Sequence, residues 1–237
     1  MKKTVFEKLE KRLILSGTIE AVTPLHIGSG QREMDIEEVD MPILRAPNGD
    51  PYIPGSSLKG RVRAEAERIA RSKGMEVCTP PNVKQMCGSL KRSPEEFCIA
   101  CRIFGTAGTI SVASKVKFRD AYPIEKVEEY LERTGIAIDC AKGTVSGGAL
   151  YTIEAVPAGK TFSLEIVAEN LSPEELSLLK AALKSMEDSA IGGSSSRGFG
   201  KVKLRFTKLQ ERTAEYYLGE QEERVLEGEE LKRWLES

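Results

Sequence analysis

Apolar residues alternate with small or polar ones in three stretches of this chain: Leu13, Leu15 and Ile19 within residues 13–22, Phe162 to Ala168 within 161–168, and Val202, Leu204 and Phe206 near the end. A period of two marks strands with one buried face. A further strand is predicted from Lys115 to Ala121. Two stretches carry the helical period instead. Ser57 to Lys73 places Leu58, Val62, Ala66, Ile69 and Ala70 on one side, and Ser172-Pro173-Glu174-Glu175 opens a helix reaching about Asp188, with a capping serine, a proline at the first position and acids in the first turn. Taken without the segments between them, these elements run strand, helix, strand, strand, helix, strand. That is an α+β order of the ferredoxin-like, RNA-recognition type.

The remaining segments read as additions to one domain spanning 1–237, the economical reading for a chain of this length. A loop from Thr23 to Asp50 holds the single histidine, His26, and the acidic residues Glu33, Asp35, Glu37, Glu38 and Asp40. Loops of this length in compact domains are functional or disordered. An insertion carrying cysteines occupies about 74–108. A second covers 122–160, with short helical periodicity at Tyr122–Gly135 and a hairpin arm at Gly143–Gly159, where Gly147-Gly148 and Pro157-Ala158-Gly159 are turn material. The tail from 209 to 237 is acidic, and from Thr213 onward it has helical propensity.

Charge changes this picture in one respect. The net charge is only -1, but Leu209 to Ser237 contains nine acidic and four basic residues, a balance of -5 that leaves +4 on residues 1–208. A basic body with an acidic tail is compatible with a nucleic-acid partner. The 30% of charged residues, with no apolar run long enough to span a bilayer and no signal-peptide core behind Met1-Lys2-Lys3, argue against a membrane protein and for a cytoplasmic one.

Two runs combine glycine, serine and positive charge. In Ile53-Pro54-Gly55-Ser56-Ser57-Leu58-Lys59-Gly60-Arg61-Val62-Arg63 a turn leads into a helix whose first N–H groups Ser56 or Ser57 can cap, inside a local excess of Lys59, Arg61 and Arg63. Free N–H groups beside positive charge suit a phosphate. Alone, the run better fits a capped, solvated surface helix. The second run, Gly192-Gly193-Ser194-Ser195-Ser196-Arg197-Gly198-Phe199-Gly200-Lys201, lets the backbone approach a ligand closely, adds the charges of Arg197 and Lys201, and offers Phe199 as a stacking face. It has neither the closing Gly-Lys-Ser/Thr of a nucleotide-triphosphate loop nor a GxGxxG at a strand-to-helix junction, and by itself it also fits a flexible linker.

Cys78, Cys87, Cys98 and Cys101 fall within one short insertion, and the closing C-x-x-C is knuckle spacing for tetrahedral zinc. The insertion is poor in apolar residues, so a structural zinc would supply its folding energy, the alternative being free thiols. Four thiolates leave no open position for catalysis. Cys140 stands apart and reads as a small buried hydrophobe.

Together the PGSSLKGRVR and GGSSSRGFGK runs, with Leu25-His26-Ile27-Gly28-Ser29-Gly30, Val39-Asp40-Met41-Pro42 and Phe118-Arg119-Asp120-Ala121 in order, resemble the RAMP superfamily of RNA-binding CRISPR proteins, and more narrowly the repeated backbone subunit of type III (Csm-like) effector complexes. The resemblance implies a subunit that binds guide crRNA as a filament with further copies of itself and other type III subunits, and that cleaves paired target RNA. It implies that Asp40, in a hydrophobic-Asp-x-Pro setting, is the cleaving aspartate, working with Mg or another divalent ion or by orienting the attacking 2'-hydroxyl. From sequence alone any carboxylate of that loop also fits a solvated surface group. The RNA contacts expected are His26, Ser56, Ser57, Lys59, Arg61, Arg63, Gly193, Ser194, Ser196, Arg197, Gly198, Phe199 and Lys201. Two alternatives stand beside this: a scaffold without nuclease activity, and a precursor-processing endoribonuclease using His26 as its base.

Overall fold

The structure, a computed structural model, describes residues 7–29 and 39–237. Gly30, Glu33, Asp35, Glu37 and Glu38 lie outside the described residues. The elements in chain order are β1 (Arg12–Ala21), α1 (Gly55–Ser72), α2 (Cys87–Leu90), α3 (Ile99–Phe104), β2 (Val116–Phe118), β3 (Leu131–Asp139), β4 (Thr144–Ala155), β5 (Thr161–Glu169), α4 (Pro173–Asp188), β6 (Val202–Arg212), α5 (Ala214–Tyr217), β7 (Arg224–Glu227) and α6 (Gly228–Glu236). Five strands form one antiparallel sheet in the order β2-β5-β1-β6-β7, and β3 and β4 form a separate two-stranded arm.

The alternation read from the sequence builds the buried face of that sheet. Leu13 stands opposite Ala168, Leu15 opposite Ile166, and Ile19 opposite both Phe162 and Leu204, so apolar side chains align across three strands. They share one core with Leu58, Val62, Ala66 and Ala70 of α1 and with Leu178, Leu179, Ala182, Leu183 and Met186 of α4. The opposite parity carries ion pairs such as Glu20 with Arg205 and Glu165 with Arg119. A strict period of two would turn Leu204 and Leu209 to opposite faces, yet both are buried. A β-bulge between Ser16 and Gly17 of β1 and Phe206 and Lys208 of β6 restores the parity. Gly17 is needed there because a Cβ would run into the backbone of Arg205 and Phe206.

Helix α4 begins as its sequence predicts: the Ser172 hydroxyl accepts from Glu175 N and the Glu175 carboxylate returns a bond to Ser172 N, a full capping box. Helix α1 does not. It starts at Gly55 with Pro54 as N-cap and no capping side chain from its own end, and Asp120, far along the chain, accepts from Gly55 N at 2.7 Å. Ser56 and Ser57 are exposed instead.

Three further segments differ from expectation. Tyr122–Gly135 is not helical: Pro123 bridges to Phe162, and residues from Leu131 onward pair with β4, whose ladder overrides the helical propensity of the glutamates. The arm reverses at 140–143 rather than at Gly147-Gly148, which lie inside β4. The Asp139 carboxylate accepts from Ala141 N at 2.9 Å and Gly143 takes a φ of 65°, a local turn the glycine pair does not need to supply. Cys140 sits exposed on this turn, not buried. The acidic tail, expected as helix, is broken by Gly219 and Gly228, both at positive φ, and its middle becomes β7, which places Leu226 opposite Leu209 at the sheet edge. No helix among the described residues is long and apolar enough to cross a membrane.

Candidate nucleic-acid interface and metal site

Segment 39–43 runs beside the base of the arm. Met41 pairs in parallel with Ile153, with Met41 N bonded to Thr152 O and Glu154 N to Met41 O, each at 3.1 Å. Met41 packs on Ile153, Ala155 and Phe199, which keeps the segment in place. Asp40 is thereby held at the surface, one carboxylate oxygen accepting from Thr152 N at 2.7 Å. No described residue engages the other oxygen.

Below this segment lies Glu154, whose carboxylate accepts from Ile43 N at 3.0 Å and from two nitrogens of Arg45 at 2.9 and 2.6 Å. Burial pushes its pKa up, but the Arg45 and Ile43 hydrogen bonds outweigh burial and hold it below the usual carboxylate range. Arg45 also lies over the Tyr130 ring at 4.4 Å. The carbonyl of Glu154 meets His26 Nδ1 at 2.7 Å.

His26 is only 6% exposed. Gly193 N donates to its carbonyl at 2.8 Å, and Gly28 and Gly193 close over its ring. The buried imidazole thus braces the glycine-rich run against the arm. At Gly192, with φ at 79°, any Cβ would strike the His26 carbonyl. Beyond it, Ser194 takes a left-handed φ of 57° and Ser195–Arg197 form one short turn. Ser196, Arg197, Gly198 and Lys201 are exposed. Phe199, expected to offer a stacking face, is buried beneath Arg133, whose guanidinium lies 4.6 Å above its ring and donates to Arg197 O at 3.3 Å. Arg197 in turn lies 5.2 Å from the centroid of Tyr151. Two arginine-on-aromatic contacts therefore join the run to the arm base, beside Asp40.

The basic start of α1 divides. Arg61 donates to Ser189 Oγ at 3.3 Å and pairs with Glu65 at 3.1 Å, which ties α1 to the end of α4 just before the glycine-rich run. Lys59 is half-buried, and burial, then the Arg63 charge, draws its pKa down. Arg63 turns away from this surface: it is 16% exposed and bonds to Glu67, to Gly105 O and to Cys101 Sγ. Its expected phosphate role does not fit where its side chain points.

The Sγ atoms of Cys78, Cys87, Cys98 and Cys101 lie within 4.8 Å of one another, with Cys78 and Cys101 at 3.3 Å and Cys98 and Cys78 at 3.8 Å. Four sulfurs about 2.3 Å from a tetrahedral zinc stand roughly 3.8 Å apart, so the set fits such an ion. Cys98 N points at Cys87 Sγ at 3.3 Å. A hydrogen bond from Cys101 draws the Cys98 thiol down to about 4, while burial pushes Cys87 up to about 11. The cluster can hold a metal such as zinc, and it lies apart from Asp40. Glu154, Arg45, Arg133, Tyr151 and Thr152 carry no local sequence signal, since their partners lie on other elements.

Residues 18–203 match the model of the RAMP superfamily. A protein of Methanocaldococcus jannaschii named "CRISPR system Cms endoribonuclease Csm3" is 37% identical over 89% of this chain and 86% of its own length. A protein of the same name from Methanothermobacter thermautotrophicus is 30% identical over 90% of this chain and 91% of its own. Among solved structures, a Csm3-Csm4 subcomplex of a type III-A CRISPR-Cas interference complex matches with a TM-score of 0.60 at 28% identity, covering 96% of each chain. Methanopyrus kandleri Csm3 matches in fold with a TM-score of 0.64 at 24% identity, again over 96% of each. With the family model covering most of its length and two near-full-length relatives agreeing, this chain belongs to the RAMP superfamily.

Proposed function

We propose that this protein is a backbone subunit of a type III CRISPR effector complex and an endoribonuclease that cleaves target RNA. The two archaeal relatives, similar over nearly the whole chain and both named endoribonuclease, support the activity. The observation that carries the site assignment is the carboxylate of Asp40, fixed at the surface by Thr152 N at the foot of the arm and next to the Arg197 run.

In this reading Asp40 is catalytic. Ser56, Ser57, Lys59 and Arg61 at the start of α1, with Gly193, Ser194, Ser196, Arg197, Gly198 and Lys201, line guide crRNA, and Arg133 extends that surface toward the arm. His26 and Phe199 support the surface from beneath. A divalent ion, when bound, supplies positive charge at the scissile phosphate. Asp40 either holds that ion or orients the 2'-hydroxyl, and both roles need a backbone already splayed by the protein. The sheet order β2-β5-β1-β6 with α1 and α4 on one face supports a ferredoxin-like core. The Csm3-Csm4 subcomplex supports assembly with other type III subunits, and repetition along crRNA would form the filament. The cysteine cluster holds a structural zinc, and the protein works in the cytoplasm.

Target cleavage by complexes reconstituted with wild-type or Asp40→Ala protein tests the site. Loss of cutting with guide binding retained supports it, and full cutting by Asp40→Ala leaves Asp40 without the role. Chelation of divalent ions in the wild-type assay separates the two roles of the carboxylate.

A further inference from the structure

Helix α1 carries Arg63, Glu67 and Arg71 at four-residue spacing, which puts the three side chains on one face. That face meets the cysteine cluster. Arg63 Nη2 lies 3.5 Å from Cys101 Sγ, Nη1 donates to Gly105 O at 3.0 Å, and Nε donates to Glu67 Oε1 at 2.8 Å. Two turns on, Arg71 Nη2 donates to Cys78 O at 2.9 Å and stands 3.7 Å from Glu67 Oε2. Each end of the row therefore reaches a different cysteine of the cluster.

The charges set the next step. The Arg63 side chain is 16% exposed and that of Glu67 8%, so both are largely withdrawn from water and need counter-charge close by. Glu67 offers one negative charge to two guanidinium groups. Arg63 and Glu67 balance one to one, and Arg71, 43% exposed, is matched in part by water, while four thiolates around a divalent ion would bring a net charge of about -2 within reach of both guanidinium groups. The row on α1 is thus a counter-charge suited to the metal-loaded cluster.

We propose that Arg63 is an outer-shell partner of the metal site, its guanidinium fork joining the Cys101 sulfur to Gly105 O and to Glu67 and so fixing the loaded cluster on the middle of helix α1. This rests on the reading of the four cysteines as a zinc site. It also gives Arg63 a task distinct from the RNA contacts of Lys59 and Arg61. An arginine suits the position because three of its nitrogens serve three acceptors at once, which a lysine ammonium cannot reproduce in the same plane.

The test follows metal release. Wild-type, Arg63→Gln, Arg63→Lys and Arg68→Gln proteins are loaded with zinc, or with cobalt(II) to record the thiolate-to-metal absorption band, and transfer of the ion to a colorimetric chelator is timed. Outer-shell partners are worth about 10–100-fold in metal affinity, so Arg63→Gln should release the ion about tenfold faster or more and shift the cobalt band, with Arg63→Lys in between. Arg68, 69% exposed and paired with Glu65, should behave as wild type when changed. A folded Arg63→Gln protein with the wild-type rate and band would overturn the proposal while the zinc reading stood. A wild-type protein that binds neither ion would remove both. Should Arg63→Gln not fold, Arg63→Lys decides: faster release supports the proposal and equal release overturns it.

Discussion

The Asp40 carboxylate accepts a 2.7 Å hydrogen bond from the backbone N–H of Thr152, so a loop residue is fixed to the arm by an atom no substitution at Thr152 removes, proline apart. Asp40→Asn keeps an acceptor for that N–H and loses only the charge. Cleavage by complexes carrying Asp40→Asn should fall about 10²–10⁴-fold, close to the loss with Asp40→Ala, because the missing property is a basic, anionic oxygen. Thermal melts of both variants should stay within about 1 kcal/mol of wild type, as expected for an exposed side chain. Cleavage by Asp40→Asn at the wild-type rate would show that anchoring, not charge, is what the residue supplies.

Glu154 is the main fixed charge behind the site, and its substitution should be felt as stability. Breaking a fully buried ion pair costs about 3–5 kcal/mol, and Arg45 stays partly solvated, so Glu154→Gln should cost about 2–4 kcal/mol. The folded pKa of Glu154 is depressed, so its contribution is complete above its unfolded pKa of about 4.3 and is lost as pH falls through the folded value. The gap in melting temperature between wild type and Glu154→Gln should therefore narrow as pH falls from about 7 to about 3. A constant gap across that range would mean that the carboxylate charge is not the source of the effect.

RNA affinity should respond to Lys59→Ala combined with Arg197→Ala by similar factors on unrelated sequences, since phosphate contacts carry no base information. Each lost contact on single-stranded RNA should lower the slope of log affinity against log salt by about 0.7, so the double variant should lower it by about 1.4. Arg63→Gln should leave the slope unchanged. Filter binding over a salt series reads both effects, and an unchanged slope in a folded double variant would count against the assignment.

Elemental analysis of protein purified without added metal should find one zinc per chain. Replacing Cys98 and Cys101 together with serine should expose residues 78–98, ahead of α3, to protease while the sheet retains its circular-dichroism signal, because the small cluster of Cys87, Phe97 and Cys101 is separate from the main core, which holds Ile99, Ile103 and Phe104 of α3. Protease resistance equal to wild type would show that the thiols do not hold this segment.

Local pattern determined the parts of this protein whose partners are near in sequence or share a simple period. The alternation of Leu13, Leu15 and Ile19, the apolar stripe of α1 and the Ser172 capping box all follow from residues within a turn or a pleat of one another. Cysteine spacing marked the four-thiol cluster, which can hold a metal, in the same way. Tertiary structure decided what those patterns leave open. The cap of α1 comes from Asp120 and not from Ser56 or Ser57, the ring of Phe199 is covered by Arg133, and Arg63 leaves a basic run to meet Cys101. The helix-like glutamate stretch before Leu131 gave way to a ladder with β4, and part of the tail became an edge strand on β6. In each case the deciding partner lies tens of residues away or on another element, and the free energy of burial and pairing there exceeds the few tenths of a kcal/mol by which local propensity prefers one conformation over another.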